Sequence, residues 1–205
     1  MKDDTRFNAG RFSDGRFSGK KPKDRTGHFE VSVSGLTENP DFGLTAQIGV
    51  PLTATAVNWS GDAPGSVAWQ WLDSSGPIGT GATYTPQASD DLESIYAVAV
   101  PSEIYAQQNS TSYTVRHAPP IPGSGISSKN LTYLGDEKTI IQNARNRFTG
   151  DGLTFSVSGY AGARLDGKSL IIDPTDLTAG TTVRLTATNS GGSVSHAFNL
   201  VVEAL

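Results

Sequence analysis

Short stretches in which apolar and polar residues alternate recur from residue 28 to residue 205. Every second side chain of such a stretch points to the same face, so the pattern predicts strands that bury one side. Clusters of Gly, Pro, Ser and Asp separate the stretches and are typical of tight turns. Many short strands at this spacing favour a β-sandwich. The clearest stretches are 28–34 (HFEVSVS), 52–59 (LTATAVNW), 67–72 (VAWQWL), 112–116 (SYTVR), 153–158 (LTFSVS), 182–188 (TVRLTAT) and 197–202 (AFNLVV). The stretch 95–100 (IYAVAV) is instead a nearly continuous apolar run, as expected for a strand that is covered on both faces.

The composition agrees with an all-β chain. The 205 residues include 23 Gly and 11 Pro, and only 18% are charged. Since the surface must then be built largely from Ser, Thr, Asn and Gly, it is typical of extracellular or particle-exposed domains. The chain has no Cys, which excludes a disulfide scaffold, a thiolate metal site and a Cys nucleophile. The length allows one large or two small domains.

The sequence carries no targeting signal that we identify. No apolar run approaches the roughly 20 residues of a membrane-spanning helix. The N-terminus is charged and lacks the apolar segment of a secretory signal. We therefore expect the protein to fold in the cytoplasm and to have no membrane partner. Surface-type domains without an export signal suit a virus particle, which assembles inside the cell and then leaves it.

The first 27 residues differ from the rest of the chain. A unit of the form Arg-Phe-small-any-Gly occurs three times at five-residue intervals, with Lys replacing the last Gly, and a basic patch follows. A period of five matches neither helix nor strand, so we expect an extended arm that becomes ordered on binding. Each unit offers a ring to bury and a guanidinium to pair with a carboxylate or carbonyl. The expected partner-binding residues are Arg6, Phe7, Arg11, Phe12, Arg16, Phe17, Lys20 and Lys21.

Charge is distributed as unevenly as the repeats. Residues 1–25 hold eight of the 16 Lys and Arg and four of the 20 Asp and Glu, a net of +4, whereas the remaining residues carry a net of −8. Arg and aromatic residues interleaved with Gly resemble segments that bind single-stranded nucleic acid. Asp3, Asp4, Asp14 and Asp24 would repel phosphate, however. We therefore expect the partner to be a protein with acidic and apolar pockets, and we do not expect nucleic acid.

The first module resembles a known family. Trp69 and Trp71 share a strand, the segment 81–86 (GATYTP) follows, and the segment 89–91 (SDD) precedes Tyr96 on an apolar strand. This order is similar to that of the immunoglobulin-like (Ig-like) modules of bacterial surface proteins and phage structural proteins. The resemblance implies that Trp71 packs in the core and that an Asp a few residues before Tyr96 fixes the corner. The paired cysteines of the family are missing from this chain.

The second module resembles Ig-like and cadherin-like repeats. The segment 185–193 (LTATNSGGS) followed by 198–202 (FNLVV) is similar to the last hairpin of those repeats. Such repeats are structural, so the resemblance implies architecture and not chemistry. Asp-Gly at 166–167 predicts a hairpin turn within 163–172. The stretch 139–148 (TIIQNARNRF) is the one that could form a short helix, with a strand and a loop as equal alternatives.

These observations predict an all-β protein of two tandem Ig-like β-sandwich domains preceded by an extended N-terminal arm. The expected segments are the basic and aromatic arm at 1–27, an Ig-like sandwich at 28–117, a Pro-rich linker at 118–125 and an Ig-like or cadherin-like sandwich at 126–205. Since Pro-rich segments are extended and semi-rigid, the two sandwiches should stand end to end.

We predict no catalytic residue, no metal site and no cofactor. The three histidines, His28, His117 and His196, lack metal-ligand spacing to one another or to Asp and Glu. The sequence has neither a Gly-x-Ser-x-Gly elbow nor a phosphate-binding Gly loop with Lys-Ser/Thr. The densest acidic cluster, at 90–93, could hold Ca²⁺. We favour a role for these residues in building the turn.

Trp59 is the best candidate for an exposed aromatic side chain. Together with Trp69 and Trp71 it could offer an aromatic row that stacks on a sugar ring. The family resemblance places at least one of the three in the core, so we favour a structural role over a carbohydrate site. Trp59 is nevertheless the residue at which binding of host surface glycans should be tested.

We therefore predict a non-enzymatic phage virion structural protein, a capsid decoration protein or head fibre, on the surface of a particle assembled in the host cytoplasm. The arm docks on a virion shell or tail protein, with the major capsid protein as the expected partner, and the Ig-like domains project outward. Copies are arranged by the symmetry of the particle. The alternative is a carbohydrate-binding or adhesive module that recognises a host cell surface, and a nucleic-acid tether is a third hypothesis.

Overall fold

The computed structural model describes residues 28–60, 66–101, 105–132, 138–174 and 180–203. The predicted arm at 1–27 lies outside the described residues. Within the described ranges the chain forms β-strands and two short 3-10 helices, at Ala88–Asp90 and Ala144–Arg147. The protein is all-β, as the alternating sequence pattern predicts.

The described residues of the first domain form ten strands. They are β1 (Glu30–Ser34), β2 (Thr37–Asn39), β3 (Gly43–Gln47), β4 (Leu52–Val57), β5 (Val67–Leu72), β6 (Pro77–Thr80), β7 (Thr83–Tyr84), β8 (Ser94–Pro101), β9 (Gln108–Asn109) and β10 (Tyr113–Arg116). One sheet has the order β1-β4-β7, and the other has the order β2-β3-β10-β8-β5-β6, with β9 on β8. Strand β3 runs parallel to β10, and the other pairs are antiparallel. This two-sheet order, in which β3 runs parallel to the last strand of the domain, is that of an Ig-like sandwich.

The core of the first domain lies between these two sheets. Trp71 on β5 is fully buried, and its indole N–H donates a 3.1 Å hydrogen bond to the Gly81 carbonyl. The predicted core position of Trp71 is therefore confirmed. A buried indole is tolerated because its one polar atom has a partner. The buried residues packed together here are Val33, Ala46, Leu52, Ala54, Trp71, Ile95, Ala97 and Val115.

In the second domain, the part of the chain that the structure describes forms nine strands. They are β11 (Ile121–Pro122), β12 (Lys129–Thr132), β13 (Thr139–Ile141), β14 (Phe148–Thr149), β15 (Thr154–Ser158), β16 (Ala163–Asp166), β17 (Ser169–Ile172), β18 (Thr182–Asn189) and β19 (Gly192–Glu203). One sheet has the order β12-β19-β18-β15, with β12 parallel to β19, and the other has the order β13-β17-β16. The plan is again that of an Ig-like sandwich. Its buried core comprises Ile126, Ile141, Ala144, Phe148, Leu170, Ile172, Val183, Leu185, Ala187, Phe198 and Leu200.

The structure tests three local predictions for the second domain. The hairpin at 163–172 forms, but Asp166 pairs with Ser169, so the two turn residues are Gly167 and Lys168. The stretch 139–148 contains strand β13 and the 3-10 helix Ala144–Arg147 instead of an α-helix. Within 118–125, strand β11 pairs with β14, so this Pro-rich segment is hydrogen-bonded to the second domain.

The corner before β8 uses a different tyrosine from the one that the resemblance implied. The Asp90 carboxylate accepts hydrogen bonds from the Tyr84 hydroxyl and from the Gln87 backbone N–H. Tyr96 is half-buried on β8, beyond the corner. Burial raises the pKa of Tyr84 far above its usual value of 10.0, and the hydrogen bond to Asp90 and the nearby negative charges add to this shift.

Replacing Tyr84 by Phe should lower the stability of the first domain and flatten its alkaline pH dependence. Because the folded state keeps the Tyr84 proton above pH 10.0, this contribution is complete below that pH and is lost as the pH rises. At neutral pH the loss should be about 1–2 kcal/mol, since Asp90 keeps its bond from Gln87. Urea unfolding at about pH 7 and about pH 10.5, followed by Trp fluorescence, measures both effects. Tyr96→Phe, the matched control, removes a hydroxyl that lies beyond the corner and should lower the stability less than Tyr84→Phe; the opposite ranking would contradict the role of Tyr84 in the corner.

Candidate functional site

The arm joins the first domain at a closely held residue. The backbone N–H of His28 donates to Ser60 Oγ at 2.7 Å, and the backbone N–H of Ser60 donates to the His28 carbonyl at 2.9 Å. These bonds tie the residue that follows the arm to the segment after β4. The first domain is therefore held by hydrogen bonds from its first described residue, His28, onward.

Three aromatic rings pack directly beside this point. Phe29 is 1% exposed, and the Trp59 ring stacks on it with a centroid distance of 4.3 Å. The Tyr105 ring meets both edge-on, at 6.5 Å from Phe29 and 5.6 Å from Trp59. Trp59, the predicted exposed aromatic, is thus half-buried in a cluster. Its role in glycan binding stays a prediction.

The aromatic cluster lies at one end of β8 and the second domain lies at the other. Tyr105 follows the end of β8 at Pro101, and Asp91 precedes its start at Ser94. Asp91 accepts a hydrogen bond from Ser190 of the second domain. Eight strand residues at about 3.3 Å each separate the two ends by roughly 25 Å. Residue 28, which follows the arm in the sequence, therefore lies at the end of the first domain remote from the second domain.

The contact between the domains centres on the turn that joins β18 to β19. Ser190 Oγ donates to Asp91 Oδ1 and accepts the backbone N–H of His117 at 2.9 Å. The Ser190 carbonyl accepts a 2.7 Å hydrogen bond from the Arg116 guanidinium. Each polar group of Ser190 named here is therefore paired with the first domain or with the residue that follows β10.

Neighbouring residues of the same turn extend the contact. The side-chain amide of Asn39, only 4% exposed, donates to the Gly191 carbonyl at 2.9 Å. The Asn189 amide donates to the carbonyls of Ala118 and Asp151. A Cβ on Gly191 would lie 2.1 Å from the His117 carbonyl oxygen, so no side chain fits there. The contact is both hydrogen-bonded and closely packed.

Asp91, His117 and Ser190 are the residue types of a hydrolase triad, but their geometry differs from one. In a triad the imidazole accepts the Ser proton. Here Ser190 Oγ donates to the Asp91 carboxylate, and residue 117 reaches that hydroxyl through its backbone N–H. The imidazole Nε2 lies 3.7 Å from the other Asp91 oxygen. The arrangement joins two domains instead of activating a hydroxyl.

The remaining candidate residues have structural partners. His196 packs on the Phe148 ring at 4.7 Å between centroids. Of the acidic cluster at 90–93, Asp90 binds Tyr84, Asp91 binds Ser190, and Glu93 accepts from Ser74. Among the residues that the structure describes, no three His, Cys, Asp or Glu side chains are grouped so as to hold a metal ion.

No pattern in the sequence distinguishes the residues of the domain contact from other turn residues. Residues 189–192 were predicted only as a hairpin turn, and neither Asn39 nor Tyr105 was singled out. The two adjacent glycines, Gly191 and Gly192, are also common in tight hairpin turns, so they did not by themselves indicate close packing. The arm residues Arg6 to Lys21 lie outside the described residues, so their predicted role stays a prediction.

Among the residues with described positions, no helix is long and apolar enough to cross a lipid bilayer.

No protein-family model matches this chain, and no curated protein matches it in sequence.

Solved structures of Ig-domain proteins superpose weakly on this chain. The Ig1-2 module of the Drosophila receptor protein tyrosine phosphatase DLAR is 12% identical over 85% of this chain and all of that one, with a TM-score of 0.35. Three N-terminal domains of the bacteriophage RB49 highly immunogenic outer capsid protein are 14% identical over 85% of this chain and 59% of that one, with a TM-score of 0.38. Sidekick-1 immunoglobulin domains 1–5 are 15% identical over 85% and 40%, with a TM-score of 0.38. At these scores the likenesses carry no functional information, and the fold assignment rests on strand order.

Proposed function

We propose that this chain is a non-enzymatic structural protein of a phage particle, docked by its arm and projecting two Ig-like domains from the surface. The observation that carries the proposal is the position of residue 28, the first described residue after the arm. Residue 28 lies beside the aromatic cluster, at the end of the first domain remote from the second. A partner that holds the arm would therefore contact one end of the body and leave the second domain pointing away.

The arm sequence supports a protein partner. Phe7, Phe12 and Phe17 are spaced to fill a series of apolar pockets, and the preceding Arg of each unit can pair with carboxylates or carbonyls. A segment that orders on binding can wrap across several subunits, and a particle with many identical sites suits such a segment. The partner that fits best is the major capsid protein, which would make the chain a capsid decoration protein or head fibre.

The body supports display and offers no counterpart of a reaction centre in the positions described. Tandem Ig-like sandwiches are shared by many proteins of exposed surfaces. The polar residues that come together at the domain contact are used to join the two domains. On this proposal the protein lies on the particle surface after assembly in the host cytoplasm.

Replacing Phe7, Phe12 and Phe17 together by Ala should abolish docking. Each buried ring contributes roughly 1.5–3 kcal/mol, so losing three weakens binding by more than about a hundredfold. The measurement is capture from nuclease-treated lysate of the source, with bound proteins identified by mass spectrometry. Moderate salt should not release the captured protein, because the anchors are apolar.

Matched variants distinguish the hypotheses. The triple Phe→Leu variant should retain most capture of a coat protein, and a chain starting at Gly27 should retain none. Trp59→Ala should leave capture unchanged. If the chain starting at Gly27 captures the same material, or if Trp59→Ala removes binding and only glycans are retained, the arm hypothesis is wrong and the adhesive alternative gains support. Release by salt alone would indicate a nucleic-acid tether.

A further inference from the structure

We propose that the two Ig-like domains form one rigid body, locked by the insertion of residues 189–192 into a socket on the first domain. We call residues 189–192 the plug. The socket is formed by Asn39, Asp91, Arg116, His117 and Ala118. Domains joined in tandem move independently unless their interface prevents it. The inference concerns motion within this chain and holds whatever the arm binds.

The hydrogen bonds of the plug hold the two domains together. Ser190, Gly191 and Asn189 each bond to groups outside the second-domain sheets. The Asn39 amide that holds Gly191 is buried, and the Asp91 and His117 side chains are both largely enclosed. If the contact opened and no water entered, these donors and acceptors would lose their hydrogen-bond partners. The hydrogen bonds named here therefore favour the closed arrangement, although the buried Nε of Arg116 has no partner among the described residues.

The backbone of the second domain also packs closely against the segment that connects the two domains. At Gly191 a Cβ would meet the His117 carbonyl oxygen at 2.1 Å and the Pro119 nitrogen at 2.9 Å. At Gly152, beside the plug, a Cβ would meet the His117 imidazole at 2.8 Å. The backbone of the second domain thus approaches residues 117–119 as closely as glycine permits. Because backbone packs against backbone here, the two domains have little room to tilt relative to each other.

The segment that connects the two domains is too short and too firmly bonded to let one domain rotate against the other. Strand β10 ends at Arg116 and β11 begins at Ile121, so four residues separate the domains. The His117 N–H and the Ala118 carbonyl are bonded to the plug, and Pro119 and Pro120 restrict the remaining backbone. Beyond them, β11 pairs with β14, and the Gly123 N–H donates to the Arg147 carbonyl. Both ends of the connection are therefore held.

Gly191→Ala in the full chain is the direct test, because the nearest atoms that the added methyl would meet belong to residues 117–119. Gly191 does not have a positive φ, so Ala is compatible with the turn itself. The measurement is ¹⁵N relaxation, which gives a rotational correlation time for each domain. In the unmodified chain both domains should share one value; in the variant both values should fall and diverge. Amide shifts of β15 and β18 show whether the second domain stays folded.

Gly125→Ala is the matched control. No described atom lies within 4 Å of a Cβ at Gly125, and its φ is not positive, so the shared correlation time should persist. If Gly191→Ala disturbs the second domain itself, Asp91→Ala opens the contact from the first-domain side and should separate the two values. The proposal is wrong if the domains of the unmodified chain already tumble separately, or if correlation times stay equal in folded Gly191→Ala and in Asp91→Ala.

Discussion

Trp71→Ala should unfold the first domain under conditions in which the second stays folded. Trp71 is fully buried between the sheets, stacks near Tyr84 at 5.8 Å between centroids, and satisfies the Gly81 carbonyl. Truncation leaves a cavity and an unpaired carbonyl, a loss of about 3–5 kcal/mol. That loss is comparable with the whole stability of a small domain, which is on the order of 5–15 kcal/mol.

The fluorescence of the remaining tryptophans measures this effect selectively. All three tryptophans of the chain, Trp59, Trp69 and Trp71, lie in the first domain, so their emission reports that domain alone. Urea unfolding of the variant should show a large fall in the fluorescence midpoint, while the dispersed amide signals of β18 and β19 persist. Val100→Ala, at an exposed position on β8, should shift the midpoint little. Equal shifts in both variants would mean that Trp71 is not the centre of this core.

Gly159→Ala should destabilise the second domain by about 3 kcal/mol, the sum of a backbone term and a steric term. Gly159 follows β15 with a φ of +91°, a conformation that Ala adopts only with strain. A Cβ there would lie 2.1 Å from the Thr182 carbonyl oxygen, which is backbone and cannot swing aside. The chain must therefore shift at the point where β15 ends and β18 begins.

Gly167→Ala separates the two causes. Gly167 also has a positive φ, +54°, but no described atom lies within 4 Å of a Cβ there. Gly167→Ala should therefore lower the free energy of unfolding of the second domain by about 1 kcal/mol, from backbone strain alone. Far-UV circular dichroism during urea unfolding measures both variants, with Trp fluorescence as an internal reference for the first domain. Equal losses at the two positions would show that the clash with Thr182 is relieved without cost.

The strands and the core were predictable from sequence because they depend on local periodicity. Alternation within 28–34 placed Phe29, Val31 and Val33 on one face; Phe29 and Val33 are buried, and Val31 is half-buried. Alternation within 182–188 placed Val183, Leu185 and Ala187 inside, and all three are fully buried. A side-chain period of two determines the buried face as soon as a strand forms, whatever its partners. The same logic, with the Ig-like resemblance, placed Trp71 in the core.

The partners of polar residues were not predictable in this way. The resemblance implied a corner built around Tyr96, yet Asp90 binds Tyr84, which precedes it by six residues. Trp59 was predicted to be exposed, but Phe29 and Tyr105 come from distant positions to cover part of it. Hydrogen bonds and ring contacts depend on which strands become neighbours, and period-two alternation is the same for each arrangement.

The sequence by itself determined that this chain is a β-protein with an arm unlike its body, because composition, period and charge are properties of contiguous residues. Only the tertiary structure decided what residues 189–192 do. Asn39 and Gly191 are 152 positions apart, and their contact exists because two separately folded sandwiches meet at one turn. Nothing local distinguishes a glycine that merely permits a turn from one, like Gly191, whose missing side chain lets two domains touch.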